Sequence, residues 1–192
     1  MTLQTATTMS TSSSTMPPSS KYFPTHDLES APAEARPFLE ETQRRFGFLP
    51  LATARHATAP ALVEGFTLLL GIFEKTSLSP LERETVALVL ARTLDCKLCR
   101  DLHRRLARQH GASAELVEAL LTGTPVAEPK LASLAEFTER VVDTRGAVSD
   151  AELERFVEHG FSARQALEVV VGVATYTLSI LANRMTRSET LR

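Results

Sequence analysis

The chain has 192 residues, 43% of them hydrophobic, which is enough for one domain with a buried core. Its 21 basic and 23 acidic residues interleave to a formal net charge of -2, leaving no field to recruit nucleic acid or an anionic membrane. No apolar run approaches the ~20 residues of a membrane span, and the best candidate, Ala166 to Ala182, is interrupted by Glu168, Thr175 and Thr177.

The first 20 residues carry no charged side chain and twelve of them are Ser or Thr, so they cannot bury enough apolar surface to offset their ordering entropy. Residues 1–21 are therefore expected to be a disordered tail, followed by one helical domain over residues 22–192. The tail has neither the apolar stretch of a secretory signal nor the arginines of a mitochondrial presequence.

Beyond the tail the pattern reads as helices over Ala33 to Phe46, Ala61 to Lys75, Pro80 to Leu94, Cys96 to His110, Ala114 to Leu121, Pro129 to Thr144, Asp150 to Glu158 and Ala163 to Arg184. Ser79-Pro80-Leu81-Glu82, Ser149-Asp150-Ala151-Glu152 and Ser162-Ala163-Arg164-Gln165 each read as a capping box, a serine that accepts from the first-turn amides and a Glu or Gln that returns the bond. Gly47, Gly111 and Gly160 follow helical stretches where a left-handed residue ends a helix, and no segment alternates with period two. Pro80 to Leu94 and Ala163 to Leu181 are apolar nearly all round, the mark of central, buried helices. The expected fold is all-α, a compact multi-helix bundle.

The two cysteines, Cys96 and Cys99, stand three positions apart, a spacing that random placement would give only roughly one time in a hundred. With Asp95 as N-cap, Cys96, Cys99 and His103 fall within an arc of about 60° on one helix. First-turn amides favour a thiolate, and His103 lies about 6 Å along the axis from Cys99 but about 10.5 Å from Cys96. The helix N-terminus favours Cys96 as the attacking sulfur and the nearby base favours Cys99; spacing leaves both open. Glu84 opens an apolar run on the preceding helix. Aimed inward it would pair with an imidazole on the adjacent helix and orient it; aimed outward it would solvate a first turn.

Zinc is the competing use of Cys96, Cys99 and His103, with Glu84 as a conceivable fourth ligand. His110 shares their face but lies about 21 Å along the axis from Cys96, and structural zinc ligands usually come from separate turns, so no metal and no cofactor is expected. Two small apolar residues in a core is the plainest alternative for the cysteines. His26, His56, His110 and His159 read as surface or capping residues, and Arg104, Arg105 and Arg108 as a solvated helix face. One close thiol pair in an otherwise thiol-free chain suits a reducing compartment, so a cytoplasmic location is expected.

The string Leu78-Ser79-Pro80-Leu81-Glu82-Arg83-Glu84, followed by Cys96-Lys97-Leu98-Cys99 and His103, resembles the E-x11-C-x2-C-x3-H signature of the carboxymuconolactone decarboxylase superfamily, in its alkylhydroperoxidase D-like, peroxidase-related branch. Phe46-Gly47-Phe48-Leu49-Pro50 resembles the G-x-x-P entry of those proteins, and Val148 to Asn183-Arg184 their C-terminal helices, so the likeness covers roughly residues 35 to 187. The resemblance implies reduction of alkyl or hydrogen peroxides by a cysteine pair on a helical subunit that assembles as a trimer or hexamer. Cys99 would attack the peroxide and become a sulfenic acid, Cys96 would condense with it, and Glu84 and His103 would relay the proton. An external dithiol, a lipoyl group on a partner protein in the best-known relatives, would reset the pair. The chain departs from the pattern at Leu98, where the family commonly has an aromatic residue or histidine, which removes any contact made through that side chain. The namesake decarboxylases lack the thiol pair, so the superfamily name implies no decarboxylation. A general thiol-disulfide oxidoreductase and a non-enzymatic redox-sensing helical protein are the alternatives to a peroxidase.

Overall fold

The computed structural model describes residues 21–190. Within them the chain forms α1 (Arg36–Phe46), α2 (Leu51–His56), α3 (Pro60–Glu74), α4 (Pro80–Thr93), α5 (Lys97–Gln109), α6 (Ala114–Thr122), α7 (Pro129–Asp143), α8 (Asp150–Glu158) and α9 (Ala163–Met185), with no strand among the described residues. The all-α expectation holds. The tail expected over 1–21 lies, Lys21 apart, outside the described residues.

The three serine signatures each start a helix with both capping-box bonds formed: Ser79 for α4, Ser149 for α8 and Ser162 for α9. Gly47, Gly111 and Gly160 all have positive φ, as helix-ending glycines do. Most helix ends fall within one residue of the sequence reading, and three differences have a local reason. α1 begins at Arg36 rather than Ala33 because Pro37 has no N–H to donate and fits only a first turn. α2 was not expected, since six residues are too short to display a helical period. α5 begins at Lys97, and its N-cap is Cys96 rather than Asp95: the Cys99 amide N–H donates to Cys96 Sγ at 3.2 Å. Asp95 instead takes a left-handed conformation, φ 51°, which turns the chain sharply between α4 and α5.

α4 is central, packed against α3, α5, α6, α7 and α9, and this accounts for its apolar residues on every face. Val86, Leu90 and Ala91 join the main core with Phe73, Leu134, Phe156, Val169 and Ile180, while Leu88 and Val89 face a second cluster built on Ala107, Val117 and Leu120. A third cluster, Leu39, Ala57 and Val63, ties α1 to the start of α3. The expectation that α9 is buried all round is corrected. One stripe, Val169, Gly172, Tyr176, Ile180 and Asn183, faces α3 and α4, whereas Leu167, Val170, Leu181 and Met185 are exposed. The expectation that no segment reaches membrane-spanning character is corrected too: by length and composition α9 is apolar enough to cross a membrane, although in this fold its inner stripe packs as core.

Candidate active site

The sharp turn at Asp95 folds α5 back along α4, so that the second turn of α4 and the second of α5 meet. There Glu84 Oε2 lies 2.8 Å from His103 Nδ1, and both residues are buried. A carboxylate accepts only, so Nδ1–H donates and the imidazole keeps its lone pair on Nε2. The inward reading of Glu84 is the one the structure adopts. The ring is held on its other side by Tyr176, nearly perpendicular with centroids 4.9 Å apart, and Tyr176 rests in turn on Phe73 at 5.8 Å. Burial, reinforced by the charge of Glu84, pushes the Tyr176 phenol well above its ordinary pKa, so it stays neutral.

Cys96 and Cys99 are joined as a disulfide with Cα atoms 5.3 Å apart. Asn183 of α9 aims Nδ2 at both sulfurs, 3.4 Å from Cys99 Sγ and 3.9 Å from Cys96 Sγ. Beside it, Arg184 binds the backbone carbonyl and carboxylate of Asp95, which also pairs with Arg100 at 2.8 Å, so α9 is clamped to the residue just before the thiol pair.

A cavity of about 680 Å³ opens onto this group, lined by residues of α1, α2, α3, α4, α5 and α9. Glu84, Cys99, His103, Tyr176 and Asn183 all line it, as does Leu98; Cys96 does not. The four residues singled out from the sequence, Glu84, Cys96, Cys99 and His103, therefore come together, but only one of the two cysteines lines the cavity. Much of the remaining wall is apolar, including Phe46, Phe66, Leu70, Leu102 and Leu106.

His56 is a correction. Expected at the surface, it is only 7% exposed and lines the same cavity, because the short α2 presses it against the end of α9. Burial pushes its pKa down to about 4, partly opposed by a hydrogen bond to the Ala182 carbonyl, and Nε2 has no partner among the described residues. His110 and His159 do cap helices, α5 and α8, and Arg104, Arg105 and Arg108 are solvated as expected. Tyr176 and Asn183 were missed as site residues. Their signal was available: both sit at helical spacing on the apolar stripe of α9, where a polar atom is the informative exception.

Residues 60–140, which span Glu84, both cysteines and His103, match the model of the carboxymuconolactone decarboxylase family. No curated protein matches the chain. Among solved structures, the alkylhydroperoxidase AhpD core, a peroxidase-related protein from Ralstonia eutropha JMP134, is similar with a TM-score of 0.75 at 22% identity over 88% of this chain and 90% of its own. A peroxidase-related protein from Silicibacter sp. TM1040 follows with a TM-score of 0.69 at 21% identity, over 91% and 92%. The debrominase Bmp8, in complex with 2,3,4-tribromopyrrole, gives 0.67 at 13% identity, over 83% and 86%. Residues 60–140 are thus similar to the carboxymuconolactone decarboxylase family, and the fold is that of the alkylhydroperoxidase AhpD core.

Proposed function

We propose that this protein is a thiol peroxidase that reduces organic hydroperoxides, and hydrogen peroxide, through Cys99, with Cys96 as the resolving thiol. The observation that carries the reading is the asymmetry of the pair: Cys99 lines the same cavity as the Glu84–His103 pair, and Cys96 does not. A fold that also hosts a debrominase does not by itself name a reaction, so the weight rests on the site.

In the reduced protein His103 Nε2 takes the Cys99 proton, and the carboxylate of Glu84 stabilises the imidazolium. The thiolate attacks the terminal oxygen of the hydroperoxide. An S–O bond forms, the O–O bond breaks, and the leaving alkoxide takes the proton from His103 to become the alcohol. The sulfur, oxidised by two electrons to a sulfenic acid, condenses with the Cys96 thiol to the disulfide and releases water. An external dithiol returns two electrons and two protons by exchange. The apolar walls and a volume within the ordinary range for small-molecule sites suit an organic hydroperoxide. The exposed Leu68 and Ile72 of α3, beside Leu181 and Met185 of α9, give an apolar face suited to homo-oligomer formation.

Steady-state consumption of cumene hydroperoxide with a dithiol donor tests this. Multiple turnovers, abolished by Cys99→Ser and stalled after one oxidation by Cys96→Ser, are expected. A single stoichiometric oxidation of the parent protein would make it a redox sensor, and reduction of disulfide substrates without peroxide loss would make it a general oxidoreductase.

A further inference from the structure

Asn183 is 5% exposed and occupies the inner stripe of α9, where its neighbours in helical register, Tyr176 and Ile180, are core residues. Its Nδ2 is nearer to Cys99 Sγ, at 3.4 Å, than to Cys96 Sγ, at 3.9 Å. A sulfur that is to become a thiolate can only accept, so the amide N–H rather than the carbonyl oxygen belongs on that side. The other end of the amide, Oδ1, is buried and has no hydrogen-bond partner among the described residues. Buried carbonyl oxygens seldom stay unsatisfied, and this one belongs to a residue that lines the cavity with Cys99 and His103. The tie from Arg184 to Asp95 fixes α9 against the thiol turn, so the amide is held in place from outside the site.

We infer that Asn183 is a catalytic residue of the peroxidase reaction proposed above, on which this inference rests: Nδ2 donates to the reacting sulfur of Cys99, and Oδ1 accepts the O–H of the incoming hydroperoxide. The two contacts together set the terminal oxygen over the sulfur. As the S–O bond forms and the O–O bond breaks, the hydrogen on that oxygen stays on it and becomes the sulfenic O–H, still held by Oδ1. The alkoxide takes its proton from His103. Substrates are thereby limited to peroxides that carry a terminal O–H.

The test uses the full, reduced chain and its Asn183→Ala and Asn183→Asp variants, checked for parental melting behaviour. The rate of Cys99 alkylation by iodoacetamide is followed against pH, and cumene hydroperoxide consumption is followed over the same range. Removing the donor should move the Cys99 titration up by about one pH unit in Asn183→Ala, and further in Asn183→Asp, which places a negative charge beside the sulfur. Above the thiol titration of all three proteins, where every thiolate is formed, alkylation rates should converge. Peroxide consumption by Asn183→Ala should there remain about tenfold slow, while Asn183→Asp, which keeps an acceptor oxygen, recovers. Superimposable alkylation profiles would overturn the donor role, and full recovery of Asn183→Ala toward peroxide at high pH would overturn the acceptor role. A parent protein that consumes no hydroperoxide, with the alkylation shift intact, refutes the peroxidase reading and the acceptor role with it, and still supports the donor contact.

Discussion

Glu84 and His103 come from helices joined by a single sharp turn, and their side chains meet at 2.8 Å between Oε2 and Nδ1, buried in the wall of the cavity that Cys99 faces. The contact fixes which ring nitrogen carries the proton, and so which one is left to act as a base.

Replacing Glu84 by Gln keeps the size and removes the charge. The Gln amide can donate to Nδ1, which turns the imidazole to the tautomer with its lone pair away from the site. Peroxide reduction should fall by roughly 10²–10⁴-fold, the range of lost acid-base assistance, with the melting temperature little changed. Stopped-flow single-turnover oxidation of the reduced protein measures this; a rate within twofold of the parent would remove the pair from the mechanism.

Gly172 of α9 is where Phe73 crosses the helix. A Cβ at this position would lie 2.6 Å from Phe73 Cζ and 3.0 Å from Val86 Cγ1, and Phe73 is fully buried. Gly172→Ala should cost about 1–3 kcal/mol through overpacking. Because Phe73 supports Tyr176 and Tyr176 supports His103, peroxidase activity should fall as well, beyond what the lost folded fraction explains. Denaturant unfolding and activity at low temperature separate the two effects.

His56 predicts an acid limb to stability. Its imidazole is buried neutral, with a pKa of about 4 in the folded chain against an ordinary value of 6.5, so the unfolded chain takes up a proton that the folded chain refuses. The stabilisation is complete above about pH 6.5 and is lost as pH falls toward about 4, to a total on the order of 3 kcal/mol. Urea midpoints of the parent and of His56→Gln, compared from neutral pH downward, test this. The variant should show the shallower slope, and identical slopes would contradict the assignment.

Much of this architecture could be read from the residues. The capping serines located the starts of α4, α8 and α9 because their bonds are local, and Gly47, Gly111 and Gly160 marked ends for the same reason. Spacing placed Cys99 and His103 on one face of α5, since a helix fixes azimuth. It could not place Asn183 or His56, which reach the sulfurs and the cavity from α9 and α2 through tertiary packing. Nor could it decide between the two cysteines. That choice depends on which sulfur the cavity meets, and the walls of the cavity come from five further helices besides α5.

The sequence itself supplies the means to separate the two thiols. Lys97 and Arg100 bracket Leu98-Cys99, so tryptic cleavage puts Cys96 and Cys99 on different peptides. Freshly reduced protein treated with substoichiometric iodoacetamide at neutral pH, then digested and mapped by mass, shows directly which sulfur is the ionised and accessible one. The label should appear first on Cys99, with Cys96 following only after the cavity thiol is consumed; preferential labelling of Cys96 would contradict the assignment of Cys99 as the attacking sulfur.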